Sequence, residues 1–184
     1  MFGLARDREQ DWTSFEAEAL PLMADVFRVA RWLGADRATA EDLTQETLVQ
    51  ALKSFHRYTP DTNCRAWLMT ILYRVNGKRI SKLGRLRIVD DPDEIIMSNI
   101  AGEPPVPARL TDDEVISAFA TMPQKFREVV LLADVEEFTY KEVSEVLRVP
   151  IGTVMSRLHR GRRLLRAQLA DHAQKLGIAV TKAG

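Results

Sequence analysis

Between Phe138 and Leu169 the chain reads FTYKEVSEVLRVPIGTVMSRLHRGRRLLRAQL, and few structures can accommodate that pattern. Thr139 followed three residues on by Glu142 is a capping box, in which each residue satisfies an unpaired amide at a helix start. Val143, Val146 and Leu147 then recur at helical spacing. Arg148-Val149-Pro150 ends this helix, because a proline ring crowds the α conformation of the residue before it. Gly152 and Thr153 open a second helix, whose apolar stripe is predicted as Ile151, Val154, Leu158, Leu165 and Leu169. Gly161 lies in the same row, where a neighbouring backbone can approach closely. Another face carries Thr153, Ser156, Arg160 and Arg163, and a flanking row carries Arg157, His159, Arg162 and Arg166.

From Arg148 to Arg166 there are six arginines and no acid. A helix with a core face on one side and arginines with a hydroxyl on the other suits a major groove. Arginine chelates guanine or grips phosphate there, and serine serves either surface. An arginine run alone would read as a solvated face of an ordinary helical hairpin. The capping box, the Pro-Ile-Gly turn and the one-sided arginines together favour DNA binding.

A net charge of +0 sits oddly with DNA binding until the charges are mapped. Arg65 to Arg87 holds seven bases and no acid, and Ile88 to Glu114 holds eight acids and one base. Asp134 to Leu147 holds five acids and one base. Two basic surfaces thus alternate with acidic stretches, which can restrain nonspecific binding by repelling phosphate. The length of 184 residues allows one or two small domains. With no run of eighteen apolar residues and no signal peptide, the expectation is a soluble cytoplasmic protein without membrane insertion. The single Cys64 rules out an internal disulfide and offers no metal cluster, so no metal and no cofactor is expected.

In chain order, Met1 to Asp11 read as frayed. Apolar residues at 15, 19, 22, 26, 30 and 33 make a helical stripe that Pro21 breaks into two short helices. Gly34 ends it. Asp36 or Thr39 caps the next helix, which runs to about Phe55 with Leu43, Leu48, Ala51, Leu52 and Phe55 inward. After a loop from His56 to Thr62, Asn63 is a cap for a third helix over roughly Cys64 to Lys82. Its buried stripe is Trp67, Leu68, Ile71, Leu72 and Val75, and its polar face is basic. Arg87 to Leu110, with four prolines and five acids, has linker composition, and Ile95-Ile96-Met97 is an apolar patch within it that could dock on a neighbour. A second capping box, Thr111 with Glu114, opens a helix to about Ala120. Pro123 suits the first residue of the next, which continues to about Ala133.

Four motifs now bring the chain into resemblance with the extracytoplasmic-function (ECF) branch of bacterial sigma factors. They are Ala40-Glu41-Asp42-Leu43-Thr44-Gln45-Glu46-Thr47; Tyr58-Thr-Pro-Asp-Thr-Asn-Cys-Arg-Ala-Trp-Leu-Met-Thr-Ile71; Met122-Pro-Gln-Lys-Phe-Arg-Glu-Val-Val-Leu-Leu132; and Thr139-Tyr-Lys-Glu-Val-Ser-Glu-Val-Leu147 followed by Val149-Pro-Ile-Gly-Thr-Val-Met-Ser-Arg-Leu158. The resemblance covers roughly Phe15 to Leu169, and the order of the four motifs makes it specific. It implies an all-α protein of two small helical domains joined by a flexible acidic linker. Residues 12–86 would form a region 2-like bundle for core polymerase and the −10 element. Residues 87–110 would be the linker, and 111–172 a region 4-like helix-turn-helix domain for the −35 element.

The resemblance also implies roles. Asp42, Gln45, Glu46 and Val49 would pack on the clamp helices of the largest subunit of core RNA polymerase. Tyr58, Thr62 and Asn63 would hold a base flipped from the −10 element, where stacking repays unstacking. Arg65, Arg74, Lys78 and Arg79, with Lys82, would hold phosphate and the displaced strand. Thr153, Ser156, Arg157, His159, Arg160 and Arg163 would read promoter DNA at the −35 element. An anti-sigma factor would hold the protein inactive by covering these surfaces. Asn63 serves equally as a helix cap, while the spacing of Trp67 places it with Leu68 and Ile71 in the core. Arg65 has a purely structural alternative, and Arg157 has the alternative of binding an acid within its own domain.

The chain departs from the family's pattern at Arg74 and Lys78, near where an Asn and an Asp are frequent, and at Met155, where Lys or Arg is frequent. His56, His159 and His172 are scattered, and no phosphate-cradling glycine loop is present, so no catalytic residues are expected. Cys64 near a helix start offers either a redox switch with a lowered pKa or a structural cysteine. A repressor or activator would share the helix-turn-helix but would need a dimer interface for a palindromic site. A partner-switching decoy would not need the recognition-helix arginines.

Overall fold

A computed structural model describes residues 12–33, 36–60, 62–82, 106–107, 112–175 and 180–181. Four expectations lie outside those residues: frayed Met1 to Asp11, the stop at Gly34, the capping box at Thr111, and the 87–110 linker with its Ile95-Ile96-Met97 patch, apart from residues 106–107. The chain divides into two compact units, described separately below.

Among its described residues the first unit is built of helices joined by short turns and one loop. Residues 12–18 form α1, a 3-10 turn Leu20–Leu22 carries Pro21, and α2 runs Met23–Trp32. Pro21 thus interrupts the stripe as its fixed φ and missing donor require. Helix α3 spans Arg37–Ser54, with Asp36 as its cap: the Asp36 carboxylate accepts from the Thr39 amide at 2.7 Å. A 3-10 turn Phe55–Arg57 leads through a loop to α4, Cys64–Lys82.

Helices α3 and α4 pack on each other, and an aromatic cluster closes their end. Phe55 meets Phe15 edge-on at 5.4 Å, stacks on Tyr58 at 5.3 Å and meets Trp67 at 5.9 Å. Leu43, Ala51, Leu68, Met69, Ile71, Leu72 and Val75 complete the core. The inward face of α3 differs from expectation at one position. Leu52 is 38% exposed, whereas Thr44 and Thr47 are buried. The Thr44 hydroxyl donates to the Ala40 carbonyl at 2.7 Å, which lets a short polar side chain occupy the interior.

In the second unit, α5 is Asp112–Thr121 and α6 is Gln124–Val130, with Pro123 as the residue before the helix rather than its first. A wider π-type turn, Leu131–Val135, extends α6. Helix α7, Tyr140–Leu147, and α8, Ile151–Lys175, form the helix-turn-helix. Phe119, Met122, Phe126, Val129, Val130, Leu131, Leu132, Phe138, Val143, Val154, Leu158 and Leu164 are buried. The α8 stripe differs from expectation at its ends. Ile151 is 50% exposed, and Leu164 rather than Leu165 is buried, because the inward row follows Val154, Leu158, Gly161 and Leu164. One two-residue antiparallel pairing, β1 Val106–Pro107 with β2 Val180–Thr181, was not foreseen; it is too short to alter the all-α class.

Candidate nucleic-acid interface

The helix-turn-helix is built as its sequence dictates. Both halves of the capping box form. The Thr139 amide and hydroxyl donate to the Glu142 carboxylate at 2.9 and 2.8 Å, and the Glu142 amide donates to the Thr139 hydroxyl at 3.3 Å. The turn differs in its device. Arg148 takes a left-handed φ of 55°, and the Val149 amide returns to the Ser144 carbonyl at 3.2 Å. The helix is therefore closed by a left-handed cap two residues before Pro150. The Ser144 hydroxyl donates to the Val149 carbonyl at 2.6 Å and pins the turn. Pro150 then supplies the carbonyl for the first bonds of α8, from Thr153 and Val154.

Helix α8 is held against α6 at Gly161. A Cβ there would meet Val130 Cγ2 at 2.6 Å, which bears out the close approach read from the sequence. Arg162 makes a two-pronged pair with Asp134, Nε to Oδ2 at 2.9 Å and a terminal nitrogen to Oδ1 at 2.6 Å. That bond raises the Arg162 pKa and takes the guanidinium out of the basic face. Ser156, His159 and Arg160 are exposed, while Thr153, Arg157 and Arg163 are half-buried. The Ser156 hydroxyl donates to the Thr153 carbonyl at 3.1 Å. Arg157 acts on Glu128, a carboxyl raised chiefly by burial, with lowering contributions from the Gln124 amide at 2.6 Å and from Arg127 and Arg157. Arg157 thus has an acid within charge range in its own domain, but no ion pair or hydrogen bond joins the two among the described residues.

In the first unit the −10 candidates separate. Tyr58 is buried among Phe55 and Trp67, and its hydroxyl donates to the Thr62 carbonyl at 2.8 Å. The ring that the sequence offered to a flipped base thus braces the loop. Thr62 and Asn63 are exposed. The Thr62 hydroxyl donates to the Thr59 carbonyl at 2.7 Å, and the Asn63 carboxamide accepts from the Ala66 amide at 3.0 Å, so the capping role of Asn63 is formed. Arg65 reaches across to Asp25 at 3.2 Å, and Asp25 also holds Arg28 at 2.7 Å. Arg79 donates to the Thr39 hydroxyl at 3.0 Å, tying α4 to α3. Arg74 and Lys78 project from α4, exposed and with no hydrogen bond or ion pair among the described residues.

Asp42, Gln45, Glu46 and Val49 are all exposed on one side of α3, and Val49 is 48% exposed. Leu52 continues that row, an apolar extension that the inward assignment of Leu52 had concealed. Cys64 is buried, and burial with the nearby Glu18 pushes its thiol up to about 11. The lowered-pKa alternative for Cys64 is thereby overturned: desolvation outweighs the helix start. Among the described residues no group of three His, Cys, Asp or Glu could hold a metal ion. No helix among them is long and apolar enough to cross a membrane.

The described residues thus form two helical units, one with the exposed row of α3 and the other with the arginine-rich face of α8. The family described as Sigma-70 region 2 matches residues 21–86, and that described as Sigma-70, region 4 matches residues 112–165. The chain is 34% identical over 155 residues to the ECF RNA polymerase sigma factor SigE of Mycolicibacterium smegmatis, covering 82% of this chain and 59% of that one. It is 35% identical over 144 residues to the ECF RNA polymerase sigma factor EcfG of Rhodopseudomonas palustris, covering 78% of this chain and 77% of that one. The solved sigma factor RpoE, in complex with the anti-sigma factor NepR from Bartonella quintana, aligns with a TM-score of 0.68 at 28% identity over 85% of this chain and 96% of that one. The chain belongs to the ECF RNA polymerase sigma factors.

Proposed function

We propose that this chain binds core RNA polymerase, directs it to specific promoters and assists melting at the −10 element, without covalent chemistry of its own. The observation that carries the reading is the coexistence, in one chain, of two differently built exposed faces. One is the row Asp42, Gln45, Glu46 and Val49 on α3, extended by Leu52; the other is the arginine-rich face of α8. An acidic row with an apolar edge suits a basic partner helix on polymerase. A basic helix start with exposed Ser156, His159 and Arg160 suits a major groove, with Thr153, Arg157 and Arg163 at its margin.

In the first unit, Thr62 and Asn63 read the −10 base, and Tyr58 acts behind them by fixing the loop. Arg74 and Lys78 meet phosphate, while Arg65 and Arg79 first brace the bundle and add charge to the same side. Residues 12–86 and 111–172 work as the two promoter-binding domains, with 87–110 as the connection that spans the elements. An anti-sigma factor, the kind of partner bound to the aligned RpoE, controls the chain by covering these faces. All of this takes place in the cytoplasm.

The experiment is gel filtration with bacterial core polymerase, followed by transcription from a promoter library. Co-elution with selective initiation supports the reading, and Asp42→Ala with Gln45→Ala is expected to weaken co-elution. Duplex binding without co-elution would instead favour a repressor or activator.

A further inference from the structure

The first two turns of α8 carry two large aliphatic side chains that the core does not take up. Val154 and Leu158 are buried, but Ile151 is 50% and Met155 is 54% exposed. Ile151, Met155 and His159 stand four residues apart and share one row of the helix. Beside that row stand Ser156 and Arg160, both exposed. Met155 is therefore an exposed apolar side chain with Ser156 and Arg160 beside it and His159 one turn on.

The opening residues of a recognition helix are those that reach base edges. Hydrogen-bonding side chains there distinguish bases by donors and acceptors, but Met155 has no donor and only a weak sulfur acceptor. The major groove presents one apolar feature, the C5-methyl of thymine. A flexible thioether side chain adapts its shape to such a group. Pressed instead on the amino group of cytosine or adenine, it would strip water from a donor and return no hydrogen bond.

We infer that Met155 reads the C5-methyl of a thymine in the −35 element, and so sets specificity at one position by an apolar contact. The inference rests on the reading of α8 as the −35 helix. It gives the departure at Met155 a contact of its own.

The test uses holoenzyme reconstituted from the full chain and core polymerase. Promoters are first selected from a library. Each −35 thymine of the selected promoter is then replaced by deoxyuridine, which removes only the methyl. Loss of one methyl is expected to weaken promoter binding about fourfold, the equivalent of roughly 0.8 kcal/mol for one buried carbon. In Met155→Ala holoenzyme the same replacement should have no effect, and in Met155→Leu the sensitivity should persist. Melting of the Met155→Ala chain should match wild type, since the side chain is exposed. Promoter selection with no methyl-sensitive thymine, or with the same sensitivity in Met155→Ala, overturns the inference and leaves the sigma-factor reading intact. Failure to select any promoter overturns both.

Discussion

Gly161 and Val130 meet with no space for a methyl group between them: a Cβ on Gly161 would lie 2.6 Å from Val130 Cγ2 and 3.3 Å from the Phe126 carbonyl oxygen. The close approach brings α8 onto α6 and fixes the angle at which the arginine face is presented. Gly161→Ala is expected to cost about 1–3 kcal/mol through overpacking. A urea titration checks this by a lower midpoint at unchanged slope. Gly152→Ala on the same helix, with nothing within 4 Å, should leave the midpoint unchanged or raise it slightly.

Arg148 occupies a left-handed backbone at φ 55°, a conformation that crowds any Cβ. Glycine is the usual residue at this point of a helix end. Arg148→Gly is therefore expected to stabilise the domain by about 1 kcal/mol, net of the greater freedom it gives the unfolded chain. Thermal melting of the two proteins decides it. An unchanged or lower midpoint would mean that the arginine side chain offsets its own strain.

Much of the architecture was legible because its signals are local. The box at Thr139 and Glu142 needs three residues, and the helix Cys64–Lys82 follows from its apolar row and Asn63 cap. The glycine at 161 was readable because it interrupts that kind of row. What the sequence hid depends on partners distant in the chain. Arg65 meets Asp25 forty residues away, Arg79 meets Thr39 at the same separation, and Arg162 meets Asp134 twenty-eight away. No periodicity announces such pairs, so Arg79 reads as a phosphate contact, Arg65 reads as either a phosphate contact or a structural cation, and Arg162 reads only as part of a basic flanking row. The burial of Tyr58 is hidden for the same reason, since its cover comes from Phe55 and Trp67 together. Leu52 read as core because a leucine on a helix favours burial, whereas here Thr47 takes the interior and Leu52 faces out.

Glu128 gives the helix-turn-helix unit a pH dependence of defined sign. Burial raises its carboxyl above the ordinary 4.5, against the Gln124 hydrogen bond and the charges of Arg127 and Arg157. The folded state thus holds this proton more tightly than the unfolded chain. Stability must then fall as pH rises from below 4.5 through the folded value, and stay lower above it. Glu128→Gln cannot ionise, so its melting temperature should rise relative to wild type as pH increases from below 4.5. Parallel slopes for the two proteins would remove Glu128 as the source.

Cys64 should behave as a core residue rather than a switch. With its thiol pushed up to about 11, almost no thiolate exists in the folded chain at pH 8. A disulfide reagent at that pH is expected to label Cys64 slowly when folded and rapidly in denaturant. Between its ordinary value of 9.0 and about 11 the unfolded chain loses this proton first, so stability should fall as pH rises through that window. Rapid labelling of the native protein would reverse the assignment.

Three basic residues of α4, Arg65, Arg74 and Lys78, can be sorted by two readouts. Arg65 is half-buried against Asp25, which it shares with Arg28, so Arg65→Ala leaves a partly desolvated carboxylate with one partner fewer. Its main effect should be on the melting temperature. Arg74 and Lys78 are exposed and touch no acid among the described residues, so their alanine variants should melt like wild type. Their effect should appear in promoter binding by the holoenzyme, where each lost phosphate contact lowers the salt slope by about one. A salt titration of promoter binding beside a melting curve separates the two groups. If Arg65→Ala lowered the salt slope without lowering the melting temperature, its pairing with Asp25 would give way to phosphate when DNA binds.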